Sequence, residues 1–295
     1  MRALSILIPT YNDVCLTLVT DLHRQAEQAG CDFEIIVADD GSTDTAVIQA
    51  NRPINRLSHC RYIERRENVG RAAIRNFLVH EAQYDWLLFI DGDMMVRHDD
   101  FLQRYISSPT DGIIYGGVTV SQWQSDNLRS LYEHHAAPQH TVTQRQREPY
   151  LDFHTANFMA SRQLMLQHPF DIRFRHYGYE DVFFGKQMQQ LHISIIHIDS
   201  PLSFERFETN EQFLKKTEEG LRTLYLFREE LKGYSRLLEL FHAPFSPILV
   251  PLLAVWHRLF SSLEHSNLTG SHPSLLLFSL YKLGYFARLH YSSTT

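Results

Sequence analysis

Apolar runs and amphipathic stretches take turns along the first hundred residues. Leu4–Pro9 is an apolar run closed by proline, which suits the end of a buried strand. Asp13–Gln28 carries Leu16, Val19 and Leu22 at helical spacing. Glu34–Asp39 predicts a second buried strand, Arg61–Glu64 a third and Trp86–Ile90 a fourth. Helices are predicted between them over Asp44–Ala50, started by the cap candidates Ser42, Thr43 and Asp44, and over Arg71–Ala82. This β-α rhythm predicts an α/β fold with a mostly parallel sheet and helices on both faces. In such sheets ligands gather at the carboxyl ends of the strands.

From Asp111 to Asp199 the pattern is less regular. Gly112–Gly117, Phe153–Ala160 and Ile193–Ile198 read as strands and Val182–Leu191 as a helix. Ser121–Pro149, rich in Gln, His and Arg and without clear period, reads as a long functional loop or lid. From Asn210 onward three helical stripes follow. They are Phe213, Thr217, Leu221, Leu224 and Phe227; then Ile248, Leu252, Val255, Leu259 and Leu263; then Leu276, Leu280, Leu283 and Ala287. Pro244, Pro247 and Pro251 predict that the second stripe is not one straight helix.

Composition narrows the classes. With 44% hydrophobic residues in 295, the chain can bury roughly 75% of its unfolded surface without staples. A net charge of −6 argues against general nucleic-acid binding. Cys15, Cys31 and Cys60 form no CxxC pair, so they read as reduced thiols in a cytoplasmic protein. No run of 18 apolar residues occurs, so no membrane-spanning helix is predicted.

Four clusters have chemical potential. Asp91-Gly92-Asp93 ends the fourth strand with two hard oxygen ligands around a glycine that lets the backbone turn; a solvated Asp-Gly turn is the plain alternative. Asp39-Asp40-Gly41-Ser42 ends the second strand and suits either a base or ribose contact or helix capping. Glu180-Asp181, before a helix, suits either a general base or a pair of charges favoured by the helix dipole. Arg71 and Arg75 share a helix face near its start, a place for a diphosphate or simply a surface pair.

Taken in order, SILIPTYND, VADDGSTD, RENVGRAAIRN, LLFIDGDM and GYEDVFFG resemble a family 2 glycosyltransferase of the GT-A fold, over roughly Leu4 to Leu231. The resemblance implies an inverting sugar transfer from a nucleotide-sugar donor, UDP-linked by preference, to a saccharide or lipid-linked acceptor, with Mn2+ or Mg2+ as cofactor. It implies that Pro9, Thr10 and Tyr11 line the base pocket, that Asp40 contacts the base, and that Arg71 and Arg75 approach phosphate or donor sugar. Asp91, with Gly92, would meet the ribose or sugar and Asp93 the metal. Asp181 would take the acceptor proton while Glu180 holds the acceptor. Relatives often carry a histidine where Phe204 stands, which leaves His197, His192 or water for that place, or a weaker dependence on metal.

The resemblance divides the chain into a catalytic domain over 1–231, with a nucleotide-sugar half at 1–110 and an acceptor half at 111–231, and a helical extension over 232–295. That extension suits a helical bundle, a dimer surface or peripheral docking on a membrane. A non-catalytic nucleotide-sugar-binding protein and a nucleotidyltransferase are the rival readings. The second would carry a Gly-rich first strand end where this chain has PTYND. GxGxxG and Walker A loops are missing, which removes dinucleotide-dependent dehydrogenases and P-loop kinases.

Overall fold

The computed structural model describes residues 3–108, 112–204 and 206–292. The proposed boundary between residues 110 and 111 lies outside them. The chain forms two compact units: one of residues 1–121, 139–175 and 184–206, the other of 122–138, 176–183 and 207–295. Residue 231, the sequence-based limit of the catalytic domain, falls inside the second.

In the first unit the strands are β1 (Leu4–Thr10), β2 (Phe33–Asp39), β3 (Cys60–Glu64), β4 (Trp86–Ile90), β5 (Met94–Met95), β6 (Ile113–Tyr115), β7 (Val118–Val120), β8 (Asn157–Ser161), β9 (Ile195–His197) and β10 (Leu202–Phe204). Among the described residues, seven of them form one sheet in the order β3-β2-β1-β4-β8-β6-β9. β8 is antiparallel to both β4 and β6, while the other pairings are parallel. The expected mostly parallel sheet is therefore present, and the strands of the first hundred residues lie within a residue or two of their predicted limits. β5, β10 and β7 form a small second sheet that the sequence pattern did not announce.

The helices are α1 (Leu16–Ala29), α2 (Thr45–Asn51), α3 (Arg71–Glu81), α4 (Phe101–Ser107), α5 (Leu128–Ala136), α6 (Val142–Arg145), α7 (Arg162–Gln167), α8 (Glu180–Gln190), α9 (Asn210–Leu226), α10 (Arg236–His242), α11 (Ser246–Leu268) and α12 (Leu275–Ser292). Asp44 caps α2 by accepting from the Ala46 N–H, as its place in the sequence suggested.

β1 and β2 are buried at every position because helices cover both faces of the sheet. Alternate residues feed two cores. Leu4, Ile6, Ile8, Ile35, Val37, Leu88 and Ile90 pack with Leu18, Val19 and Leu22 of α1 and Phe101 and Leu102 of α4. Leu7, Ile36, Ala38, Leu87 and Phe89 pack on the opposite face with Ile74, Leu78 and Val79 of α3. Phe89 and Phe158 are register partners across β4 and β8, and their rings stack at 4.6 Å.

Two expectations need correction. Ser121–Pro149 is not an irregular loop, since it contains α5, a 3-10 turn at Ala137–Gln139 and α6. Its polar composition hid the helices because each is short. The prolines do not interrupt α11 either. Pro247 sits in the first turn, where its missing N–H costs nothing, and Pro251 lies within the continuous helix. The thiols of Cys15, Cys31 and Cys60 are free, and burial pushes those of Cys15 and Cys60 up to about 12.

Candidate active site

β1, β2 and β4 end side by side, with Thr10 in register with Asp39. The chain continues the ladder for one more step: the Asp40 N–H donates to Thr10 O (2.8 Å) and the Gly92 N–H to Pro9 O (3.2 Å). Close packing fixes glycine at 92, since a Cβ there would lie 2.9 Å from Thr10 Oγ1 and 3.0 Å from Thr10 Cβ. Pro9 and Thr10 are buried at this edge, whereas the Tyr11 ring is 43% exposed.

The acids at the edge differ in their engagements. Asp40 is buried and accepts the Val69 N–H (3.0 Å) and the Gly70 N–H (2.9 Å), which pins the loop leading into α3. Burial raises its carboxyl above the usual range, against those two N–H bonds and nearby Arg65. Asp91 accepts from Arg71 Nη2 (2.8 Å) and Arg75 Nη2 (2.5 Å). Arg75 is 1% exposed and also donates to Arg71 O (3.1 Å). The two arginines predicted to meet phosphate are thus oriented by the first acid of the Asp-Gly-Asp turn. Asp93, two residues on, is exposed.

Tyr62 and Asn12 escaped the sequence reading, and Asp39 was named there only within its cluster. Asp39 accepts the Ser42 N–H (2.7 Å) and the Tyr62 hydroxyl (2.5 Å). Burial, and then that hydrogen bond, drive the Tyr62 phenol upward. Asn12, at φ 56°, accepts the Thr43 and Asp44 N–H groups (2.9 and 3.0 Å), while its own N–H donates to Ser42 Oγ (2.8 Å). These side chains lock the loop after β1 to the loop after β2. An asparagine in the PTYND turn, tolerant of positive φ, was the available signal.

Phe204 pairs with Met94 across β10 and β5, one position beyond Asp93. The histidines offered in place of the missing one do not serve. His197 is buried, with Nε2 on Pro149 O (3.0 Å) and Nδ1 accepting from Arg145 Nε (3.2 Å). Burial holds its imidazole down at about 4. His192 precedes β9, which runs in the same direction as β4 through β8 and β6, so it lies at the opposite edge of the sheet from Asp91. Among the described residues no group of three or more His, Cys, Asp or Glu side chains is placed to hold a metal. Asp93 is an exposed carboxylate at this edge and the candidate donor. That suits Mg2+ or Mn2+ in the mode where substrate phosphates and water supply most of the ligands.

Glu180 and Asp181 belong to the second unit, and the group described above to the first. They open α8, where the helix dipole favours negative charge. Gly178 (φ 97°) and Tyr179 (φ 69°) precede them in left-handed conformation. For tyrosine this is a strained state, of the kind that collects at functional sites. Tyr177 holds the turn on α9: its N–H donates to Glu219 Oε1 (3.1 Å) and its carbonyl accepts from Thr223 Oγ1 (3.0 Å). Glu180 is buried. Asp181 is half-buried and accepts the Val182 N–H (2.8 Å).

The chain is similar over its whole length to a solved mannosyltransferase from Pyrobaculum calidifontis in complex with GDP-Man and Mn2+, at 14% identity and a TM-score of 0.59. The match covers 99% of this chain and 86% of that one. The shared architecture is the GT-A fold. It is 34% identical over 130 residues to a PGL/p-HBAD biosynthesis glycosyltransferase of Mycobacterium bovis, covering 42% of this chain and 49% of the relative. It is 32% identical over 99 residues to an uncharacterized glycosyltransferase of Haemophilus influenzae, covering 34% and 39%. The matches thus span less than half the length of these curated relatives. Residues 5–172, which contain β1 to β4 and the polar group at their carboxyl ends, match the profile of glycosyl transferase family 2 over more than half the chain, and the chain belongs to that family.

Proposed function

We propose that the chain transfers a sugar from a nucleotide-sugar donor to a hydroxyl of a saccharide or lipid-linked acceptor, with inversion at the anomeric carbon. The observation that carries this reading is the carboxyl edge of the first unit, where Asp91 holds Arg71 and Arg75 two residues from exposed Asp93. Guanidinium forks suit phosphate oxygens, and held in advance they need little reorganisation as charge builds on a leaving diphosphate. Pro9, Thr10, Tyr11 and Asp40 are assigned to the nucleoside. Residues 1–110 are assigned to the donor and 111–231 to the acceptor.

In this reading Asp181 takes the proton from the acceptor hydroxyl as its oxygen bonds to C1 of the sugar. The C1–O bond to the diphosphate breaks, and its electron pair leaves with the nucleoside diphosphate. Glu180 holds the acceptor. A divalent ion held by Asp93 would supply further positive charge to the diphosphate. Family membership supports the reaction class, and the Mn2+ of the solved mannosyltransferase supports the metal. For the donor nucleotide the resemblance favours UDP, while that same neighbour carries GDP.

A panel of UDP- and GDP-sugars, scored by released nucleoside diphosphate with Mn2+ and with a chelator, tests the proposal. Metal-dependent release from one donor, increased by an acceptor, is the expected result. Nucleotide binding without release from any donor would favour the non-catalytic reading.

A further inference from the structure

α11 has two unlike sides. Leu253, His257, Glu264 and Leu268 are buried at helical spacing. They belong to the side that meets α12, where Gly284 comes so close that a Cβ would lie 2.5 Å from His257 Cβ. Leu268 joins Phe278 and Tyr281 of α12 in one apolar cluster. On the other side Ile248, Leu252, Val255, Leu259 and Leu263 are each between 55% and 72% exposed. Leu276 of α12 is 72% exposed as well. The stripe spans 16 residues, Ile248 to Leu263, about 22 Å of helix. This is the second stripe of the sequence pattern, and among the described residues the fold leaves it uncovered.

The charges of the same region are one-sided. Residues 243–292 contain a single carboxylate, Glu264. It is 2% exposed and turned inward, accepting from Trp256 Nε1 (2.8 Å) and paired with His257 Nδ1 (2.8 Å). Arg258 and Arg288 are exposed. A partly exposed acid that reaches α11 from another element, Glu211 of α9, is paired with His265. The exposed side chains of α11 and α12 therefore combine leucine-rich area with cationic charge and no carboxylate of their own. That is the chemistry of an anionic bilayer surface, where apolar side chains enter the acyl boundary and arginines meet headgroup phosphates. A second copy of the face would offer Arg258 no exposed carboxylate from α11 or α12.

We infer that α11 lies in the plane of an anionic phospholipid membrane, with Ile248, Leu252, Val255, Leu259 and Leu263 facing the acyl chains and Arg258 the headgroups. By length and composition Ser246–Leu268 suffices to cross a bilayer, which the search for an unbroken apolar run did not reveal. Crossing, however, would strip Leu253, His257, Glu264 and Leu268 from α12, so the in-plane arrangement is the one compatible with the packing of this unit. The inference stands on these helices and does not depend on the transfer reaction.

Flotation of the full chain with phosphatidylcholine vesicles, with and without phosphatidylglycerol, tests it. The expected result is partition to the phosphatidylglycerol vesicles that weakens with salt and falls about tenfold or more in Leu259→Glu/Leu263→Glu. Both positions are exposed, so the unfolding midpoint of the variant should match the parent. Arg258→Glu should reduce partition less. Failure of the parent to float with the anionic vesicles would overturn the inference. So would undiminished flotation of the double variant. Loss, in that variant, of a dimer seen by sedimentation without vesicles would assign the face to a second copy instead.

Discussion

At the carboxyl edge of the first unit's sheet, Asp39, Asp40 and Asp91 each accept from two donors, and the loops after β1 and β2 are tied together through Asn12. On the outer face of α11 the side chains are apolar and uncovered. Both surfaces depart from what folding alone asks. Burying Arg75 beside the Asp91 carboxylate costs desolvation that a leucine-filled edge would avoid. Leaving five large aliphatic side chains in water forgoes roughly 1.5–3 kcal/mol of burial at each. The first expense makes sense where a polyanion must meet oriented donors, and the second where an apolar phase lies outside the protein.

Substitutions at the two surfaces should therefore fail in different ways. The largest effect is expected at neither surface but at the start of α8, from Asp181→Asn, which should lower kcat by ~10²–10⁴-fold while donor affinity in equilibrium binding stays close to the parent. A parent-like rate would remove Asp181 as the base. Asp91→Ala leaves Arg71 and buried Arg75 without their shared carboxylate. It should lose about 3–5 kcal/mol in denaturant unfolding, the usual consequence of breaking a buried ion pair from one side. A loss below about 1 kcal/mol would mean that the pair is not structural. On α11 the contrast is internal: Leu268→Ala should lose about 2–5 kcal/mol and Leu259→Ala no more than about 0.5 kcal/mol. Equal losses would mean that the outer face is covered in solution.

The last effect concerns pH. His197 has its imidazole depressed from 6.5 to about 4 by burial, so between those values the unfolded chain binds a proton that the folded chain does not. Stability should fall as pH drops through that window, on the order of 3 kcal/mol in total. His197→Gln should flatten the slope of unfolding free energy against pH. An unchanged slope would place the titration elsewhere.

Much of the first unit was legible because its pattern is local. Buried parallel strands are unbroken apolar runs, and LSILIPT, FEIIVAD and WLLFI carry that mark plainly. Asp91, Arg71 and Arg75 could be named as polar residues at strand and helix ends. That Asp91 spends its carboxylate on the two arginines could not be read, since the bonds span 20 and 16 residues. Asp39 and Asp40 looked interchangeable in sequence, and only the fold sends one to Tyr62 and the other to the Val69 and Gly70 amides. The α11 stripe shows the opposite limit. Periodicity revealed an apolar face at Ile248, Leu252, Val255, Leu259 and Leu263, but a period of 3.6 says nothing about what the face meets.

The central claim is that the carboxyl edge of the first unit receives the diphosphate of the donor with a divalent ion on Asp93. Calorimetric titration of the full chain with UDP and with GDP, with Mn2+ and then with a chelator, for parent and Asp93→Ala, tests it most directly. The expected result is Mn2+-dependent binding of one of the two nucleotides, weakened about tenfold or more by Asp93→Ala. Equal affinity in parent and variant, or binding indifferent to Mn2+, would contradict it.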